Sequence, residues 1–149
     1  MLDQIVFLAA VTILGVFEQA YFSLQVIAAR RKYHVQPPSI SGPPEFERIF
    51  RAQANCSEYF PLFLASLWVA GLFFNQVLAA CCGLLYLYAR YLYFAGFAES
   101  SKGRLGPMYL NAGILWAMAG LSSVGILNFL LLHYLKVNIL RGIGQLFGL

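Results

Sequence analysis

Arg48, Arg51, Asn55 and Glu58 recur at spacings of three, four and three inside an apolar stretch of the chain. That periodicity sets all four on one face of a helix. A charged side chain in a bilayer core costs about 3 kcal/mol or more and is normally paired or put to use, so the stripe must face a partner helix or a wet cavity. A structural reading pairs Arg51 with Glu58 to hold helices together. The functional reading opens the stripe to a ligand and is favoured, because an ionisable group at membrane depth marks a functional site by default. Arg90, Tyr93 and Phe97 form a second stripe, although aromatics at helical spacing more often serve packing. A third face carries Gln19, Ser23, Ile27 and Arg30, with Arg31 beside it. The run Arg30, Arg31 and Lys32 also suits an interfacial anchor. Several fixed cations fit a ligand with carboxylates, and Glu58 fits an ammonium group. A zwitterionic peptide with two carboxylates meets both demands, and composition does not single out which one.

The elements that must position these groups follow from hydropathy. The chain has 149 residues, of which 60% are hydrophobic and 11% charged, against roughly half and a quarter in an average soluble domain. Apolar runs lie at about Leu2 to Ala29, Phe46 to Phe74, Val77 to Ala98 and Leu105 to His133. Each reaches the ~20 residues a helix needs to cross a bilayer. The runs are continuous rather than alternating, so the expectation is an all-α integral membrane protein, residues 1–149 forming one four-helix transmembrane domain. The first run lacks a basic leader and outlasts a signal-peptide core, which predicts a membrane helix. Arg30, Arg31, Lys32, Arg48 and Arg51 cluster around the first connection, and Lys102 and Arg104 around the third. The positive-inside rule places both on the cytoplasmic side, at one membrane level, so the stripes of helices two and three can line one cavity.

Other features exclude more than they specify. Cys56, Cys81 and Cys82 are an odd set inside apolar helices and read as small hydrophobes rather than a disulfide framework. The glycosylation triplet Asn55-Cys56-Ser57 falls inside a helix and is discounted. The prolines from Pro37 to Pro44 cannot continue a helix, and Glu45 and Glu47 suit the first turn of the next one. Glu18 has no partner three or four residues along its own helix. Beyond Asn128, Lys136, Asn138 and Arg141 alternate with apolar residues, which predicts a short fifth helix. The net charge of +4 is a topology signal; no basic stripe with interleaved aromatics suggests nucleic-acid binding, and neither a channel filter nor the broken helices of a transporter is present. No metal is expected.

The run Pro43-Pro44-Glu45-Phe46-Glu47-Arg48, followed by Arg51-Ala52-Gln53, Asn55 and Glu58-Tyr59, resembles the signature of the membrane-associated proteins in eicosanoid and glutathione metabolism. The likeness continues through Gln19 to Val26, Ala29-Arg30-Arg31, Leu67 to Gly71, Arg90 and Tyr93-Phe94, and spans about Leu8 to Trp116. It implies a homotrimer with glutathione, as co-substrate, held between subunits. Arg51, Asn55, Glu58, Tyr59, Tyr93 and Arg104 match the glutathione side of one subunit. Ser23, Ile27, Arg30 and Gln53 match contacts from its neighbour. Arg104 matches the thiolate-activating residue, Arg31 the residue proposed to act at the opened epoxide, and Tyr59 and Trp116 the lining of a lipid groove. Phe97 stands where the family enzyme has tyrosine, which removes one possible hydrogen bond. Paired Arg30 and Arg31 with Tyr59 match members that conjugate glutathione to a lipid epoxide, whereas the tail looks more like a general transferase. The alternatives are a glutathione transferase or peroxidase for lipid electrophiles, and a non-enzymatic lipid-presenting member. The location implied is the endoplasmic reticulum or nuclear envelope.

Overall fold

The computed structural model describes residues 1–135 and 139–148. Four long helices, α1 (Val6–Tyr33), α2 (Pro44–Phe73), α3 (Gln76–Glu99) and α4 (Leu105–Leu130), are followed by a short α5 (Ile139–Leu146). Between α4 and α5 runs a π-helical stretch, Leu131–Leu135. All four long helices are long and apolar enough to cross a membrane. The expected fifth helix is present, while Lys136 and Asn138, two of the polar residues that predicted it, lie outside the described residues.

Helix ends are set by local chemistry. α1 starts later than its apolar run, because Leu2–Gln4 form a 3-10 turn, and it runs one turn beyond Ala29. It stops where His34 takes a left-handed conformation and its N–H bonds to the Arg30 carbonyl. Pro44 opens α2, where a missing N–H costs nothing, and Glu45 and Glu47 occupy the first turn as expected. The second connection is very short: the Asn75 side chain caps α3 by accepting from the Leu78 N–H at 2.9 Å.

Half of the apolar span of α3 is buried, against 22% for each of the other three, which makes α3 the central helix. Leu8, Val11, Phe63, Leu67, Tyr86 and Met118 form the main core, with Phe63 and Tyr86 stacked at 4.3 Å. A second cluster, Phe22, Ala52, Cys56, Tyr93, Phe94 and Phe97, lies toward the basic ends of the helices. Large apolar side chains such as Phe17, Leu24, Leu62 and Tyr88 cover the outside, as a helix bundle in lipid requires. Polar groups are largely satisfied locally: Trp68 Nε1 donates to Thr12 Oγ1 at 3.0 Å, and Thr12 donates to the Leu8 carbonyl at 2.8 Å. Glu18 is the exception on α1, with Oε1 buried and without a hydrogen-bond partner among the described residues. All three cysteines are free, and Cys56 is buried within α2 beside Asn55. Its place inside α2 removes the Asn55-Cys56-Ser57 triplet from any exposed loop.

The turn from α3 to α4 is the tightest approach that bears on function. Gly96 and Gly103 face each other so closely that a Cβ on either would overlap the other's carbonyl oxygen. The Gly103 N–H bonds to the Ser100 carbonyl at 3.2 Å and to Ser100 Oγ at 3.0 Å. Only with hydrogen at both positions can Arg104 follow immediately at the start of α4.

Candidate functional site

α2 supplies Arg51, Ala54, Asn55 and Glu58, α3 supplies Tyr93 and Phe97, and the start of α4 supplies Arg104; together they line a cavity of about 240 Å³. A neighbouring hollow of about 220 Å³ is lined in part by Glu47, Arg48 and Ser101, and it shares Arg51, Phe97 and Arg104 with the first. The two therefore form one trough at the basic end of the bundle. Arg48 Nε donates to the Ala98 carbonyl at 3.3 Å, tying the start of α2 to the end of α3. Arg51 lies 4.0 Å from Glu47, one turn back on the same helix, and not against Glu58. The structural pairing of Arg51 with Glu58 is thus absent, and an exposed pair one turn apart contributes little.

Arg104 is the side chain with most to offer an anion. Its guanidinium carbon sits 4.8 Å from the centre of the Phe97 ring, and its Nε is buried with no hydrogen-bond partner among the described residues. No carboxylate among them pairs with it. It also stands at the N-terminus of α4, where the helix dipole adds positive potential. A cation held in place, half-desolvated and unneutralised will favour a negative atom brought into the trough.

Arg90 organises the opposite wall. Buried to 4% exposure, it donates from Nε to the Tyr86 hydroxyl at 3.0 Å and from Nη1 to Asn55 Oδ1 at 2.7 Å. Its guanidinium also lies 4.8 Å from the Tyr59 ring centre and 5.1 Å from that of Tyr93. Three of the expected glutathione residues therefore rest on one arginine. Its place on the Arg90, Tyr93 and Phe97 stripe was visible in sequence, but its partners came from helical packing across α2 and α3. A smaller hollow, about 80 Å³, opens beside it and touches Asn55, Tyr59 and Asn111.

The remaining expected residues lie elsewhere on the single chain. Ser23, Ile27 and Arg31 are exposed on α1, and half-buried Gln53 does not line the trough. Arg30 donates to the Ser39 carbonyl at 2.7 Å and packs over Phe46 and Phe50. With Arg31, His34, Val35, Gln36 and Pro37 it lines a separate hollow of about 280 Å³. Trp116 projects from α4 at 78% exposure. No group of metal-ligating residues gathers among the described residues.

An all-helical membrane chain with an arginine-rich trough at one end of its bundle matches a known class: residues 8–124 fit the MAPEG family model, and the chain belongs to that family. Its likeness to individual members extends over nearly the full length. It is 56% identical to leukotriene C4 synthase of Mus musculus over 146 residues, 98% of this chain and 97% of that protein. With leukotriene C4 synthase of Bos taurus the identity is 57% over 146 residues, 98% and 95% of the two chains. Microsomal glutathione S-transferase 2 of Homo sapiens is 49% identical over 142 residues, 95% and 97%.

Proposed function

We propose that this protein is a glutathione-conjugating enzyme acting on an allylic lipid epoxide, converting leukotriene A4 to leukotriene C4. The observation that carries the reading is Arg104, a cation without an ion-pair partner among the described residues, seated on Phe97 in a trough that also presents Arg51, Asn55, Glu58 and Tyr93. Arg51 suits a carboxylate of glutathione, Glu58 its ammonium group, and Asn55 and Tyr93 its peptide groups. Likeness to leukotriene C4 synthases over nearly the whole chain supports the lipid epoxide as electrophile. The family resemblance supports the membrane of the endoplasmic reticulum or nuclear envelope as the location, and the basic residues around the first and third connections favour a cytoplasmic side for both.

A thiol of pKa about 8.5 is mostly protonated at neutral pH, so a cation must stabilise its thiolate. Arg104 takes that role, and the thiol proton leaves through the open trough to water. The thiolate sulfur then forms a bond to the allylic carbon as that carbon's bond to the epoxide oxygen breaks. The electron pair passes to the oxygen, which takes up a proton from water. Arg31 stabilises this developing alkoxide electrostatically, since a guanidinium is a poor proton source. The lipid chain lies along apolar surface near Tyr59 and Trp116. Purified enzyme should show kcat/KM for leukotriene A4 about tenfold or more above that for a small aromatic electrophile, a margin that two buried methylenes at roughly 0.8 kcal/mol each supply. Equal turnover of the small electrophile would transfer the reading to a general glutathione transferase.

Arg31 lies outside the trough of its own chain, so the reading requires a neighbouring subunit to deliver it. A cyclic homotrimer repeats one such contact three times and closes. It would set the α1 face of Ser23, Ile27, Arg30 and Arg31, together with Gln53, against a neighbour's trough. Arg31→Leu should slow epoxide opening by about tenfold to a hundredfold, the range for losing one electrostatic contact to developing charge. Thiolate formation, followed by ultraviolet absorbance on adding glutathione, should be unchanged. Impaired thiolate formation in this variant would reverse the assignments of Arg31 and Arg104.

Sharing is tested directly by mixing subunits. Arg30→Ala and Arg104→Ala chains, each impaired alone, should regain partial activity when co-expressed with different affinity tags, because some mixed interfaces carry both arginines. Verified mixed oligomers no more active than their parents would place each site within one chain.

A further inference from the structure

Arg90 and Glu18 are two charges inside helices apolar enough to cross a membrane, and the trough chemistry gives neither a direct part. A guanidinium keeps its charge in proteins, and that of Arg90 is only 4% exposed. The groups that hold it, the Tyr86 hydroxyl, Asn55 Oδ1 and the rings of Tyr59 and Tyr93, orient the cation but are all neutral. Such a charge at membrane depth is costly unless an opposite one faces it. Glu58 lines the trough, where the ligand's ammonium group takes it. Glu18 remains, with Oε1 buried and without a hydrogen-bond partner among the described residues.

The packing of α1 against α3 sets the two charges at one level. A Cβ added at Gly15 would meet Leu87 Cδ2 at 3.4 Å, and Phe22 stacks on Phe94 with ring centres 4.4 Å apart. These contacts come in the same order along both helices, so α1 and α3 run parallel there. Glu18 follows the first contact by three residues and precedes the second by four, and Arg90 does the same on α3. The Arg90 charge accordingly acts on the Glu18 carboxyl. On the α2 side of Arg90 lies the Cys56 sulfur, 4.0 Å from Nη1.

We infer that Glu18 is a positioning residue for the glutathione wall: its carboxylate balances Arg90 and keeps the guanidinium seated between Asn55 and Tyr93 instead of drawn toward an anion in the trough. The inference rests on the glutathione-conjugation reading and adds to it a residue that touches no substrate. Asn55 and Tyr93 line the trough, whereas Arg104 stands on Phe97, outside this network. The effect of Glu18 therefore passes through Arg90 to glutathione binding and leaves thiolate formation alone.

Glutathione binding and turnover by the full chain in detergent test this. Glu18→Gln keeps the shape and removes the charge; it should raise Kd and KM for glutathione roughly threefold to thirtyfold, the range of coupling between residues of one polar network. Thiolate absorbance and kcat at saturating glutathione should stay at the parent level. Glu18→Asp, which restores the charge on a shorter arm, should recover part of the affinity. In an Arg90→Gln background, Glu18→Gln should weaken binding no further. Parental affinity in Glu18→Gln, no recovery in Glu18→Asp, or an undiminished loss in the Arg90→Gln background would overturn the role of Glu18 and leave the conjugation reading intact. A Glu18→Gln protein that loses kcat with KM unmoved would also overturn it, since loss of folded enzyme alone produces that pattern. Failure of the parent to bind glutathione would overturn both.

Discussion

Arg104→Ala lowers turnover by about a hundredfold or more, the cost of removing one preorganised charge from a developing anion, while glutathione affinity falls far less. The split follows from what else holds the peptide. Arg51, Asn55, Glu58 and Tyr93 remain in the trough and serve ground-state binding, whereas the Arg104 charge is needed most when the thiol becomes thiolate. Phe97 remains below as a flat apolar floor, so the alanine leaves space rather than a clash. The direct readout is thiolate absorbance on adding glutathione, which should nearly vanish. A variant forming as much thiolate as the parent would strip Arg104 of this role. Arg104→Lys discriminates further, because a lysine keeps the charge but not the planar stacking on Phe97. It should recover part of the thiolate signal.

That Arg104 has no ion-pair partner among the described residues explains which parts of the site could be read in advance. Its position after Gly103 and its charge were visible in the sequence, but its lack of a partner is a property of three helices meeting. The same distinction runs through the chain. Four continuous apolar runs locate α1 to α4 because bilayer thickness imposes one length on every span. Helix ends are less legible: the Asn75 cap and the left-handed His34 each stop or start a helix through one local bond. Arg51, Asn55 and Glu58 could be grouped because helical periodicity alone puts them on one face, and Tyr93 and Arg104 join them as the topology requires. The structural reading pairs Arg51 with Glu58, which lies two turns along the helix, whereas Glu47 lies one turn away and takes the contact. Arg90 as the common support of Asn55, Tyr59 and Tyr93, and its place level with Glu18, depend on side-chain packing between helices. No spacing in a single chain encodes that packing.

Gly103→Ala should reduce turnover by about a hundredfold, comparable to the effect of a misplacement of about 1 Å in a catalytic group. An added Cβ would overlap the Gly96 carbonyl, and the obstacle is backbone, not the movable end of a side chain. The turn between α3 and α4 must therefore open, and Arg104, the next residue, moves with it. Its guanidinium then leaves the Phe97 ring and the mouth of the trough, although every residue lining the trough is still present. Overpacking of this kind also costs about 1 to 3 kcal/mol of stability, so the variant is compared with the parent at a temperature where both remain folded. Gly106→Ala supplies the control three residues further on, where a Cβ meets no atom within 4 Å. That helix position should tolerate alanine with a gain of roughly 0.5 to 1 kcal/mol and unchanged turnover. Thiolate formation decides the cause: it should fall in Gly103→Ala as it does in Arg104→Ala, and stay normal in Gly106→Ala. A folded Gly103→Ala enzyme with full thiolate formation would mean that the close contact between the two glycines does not set the position of Arg104.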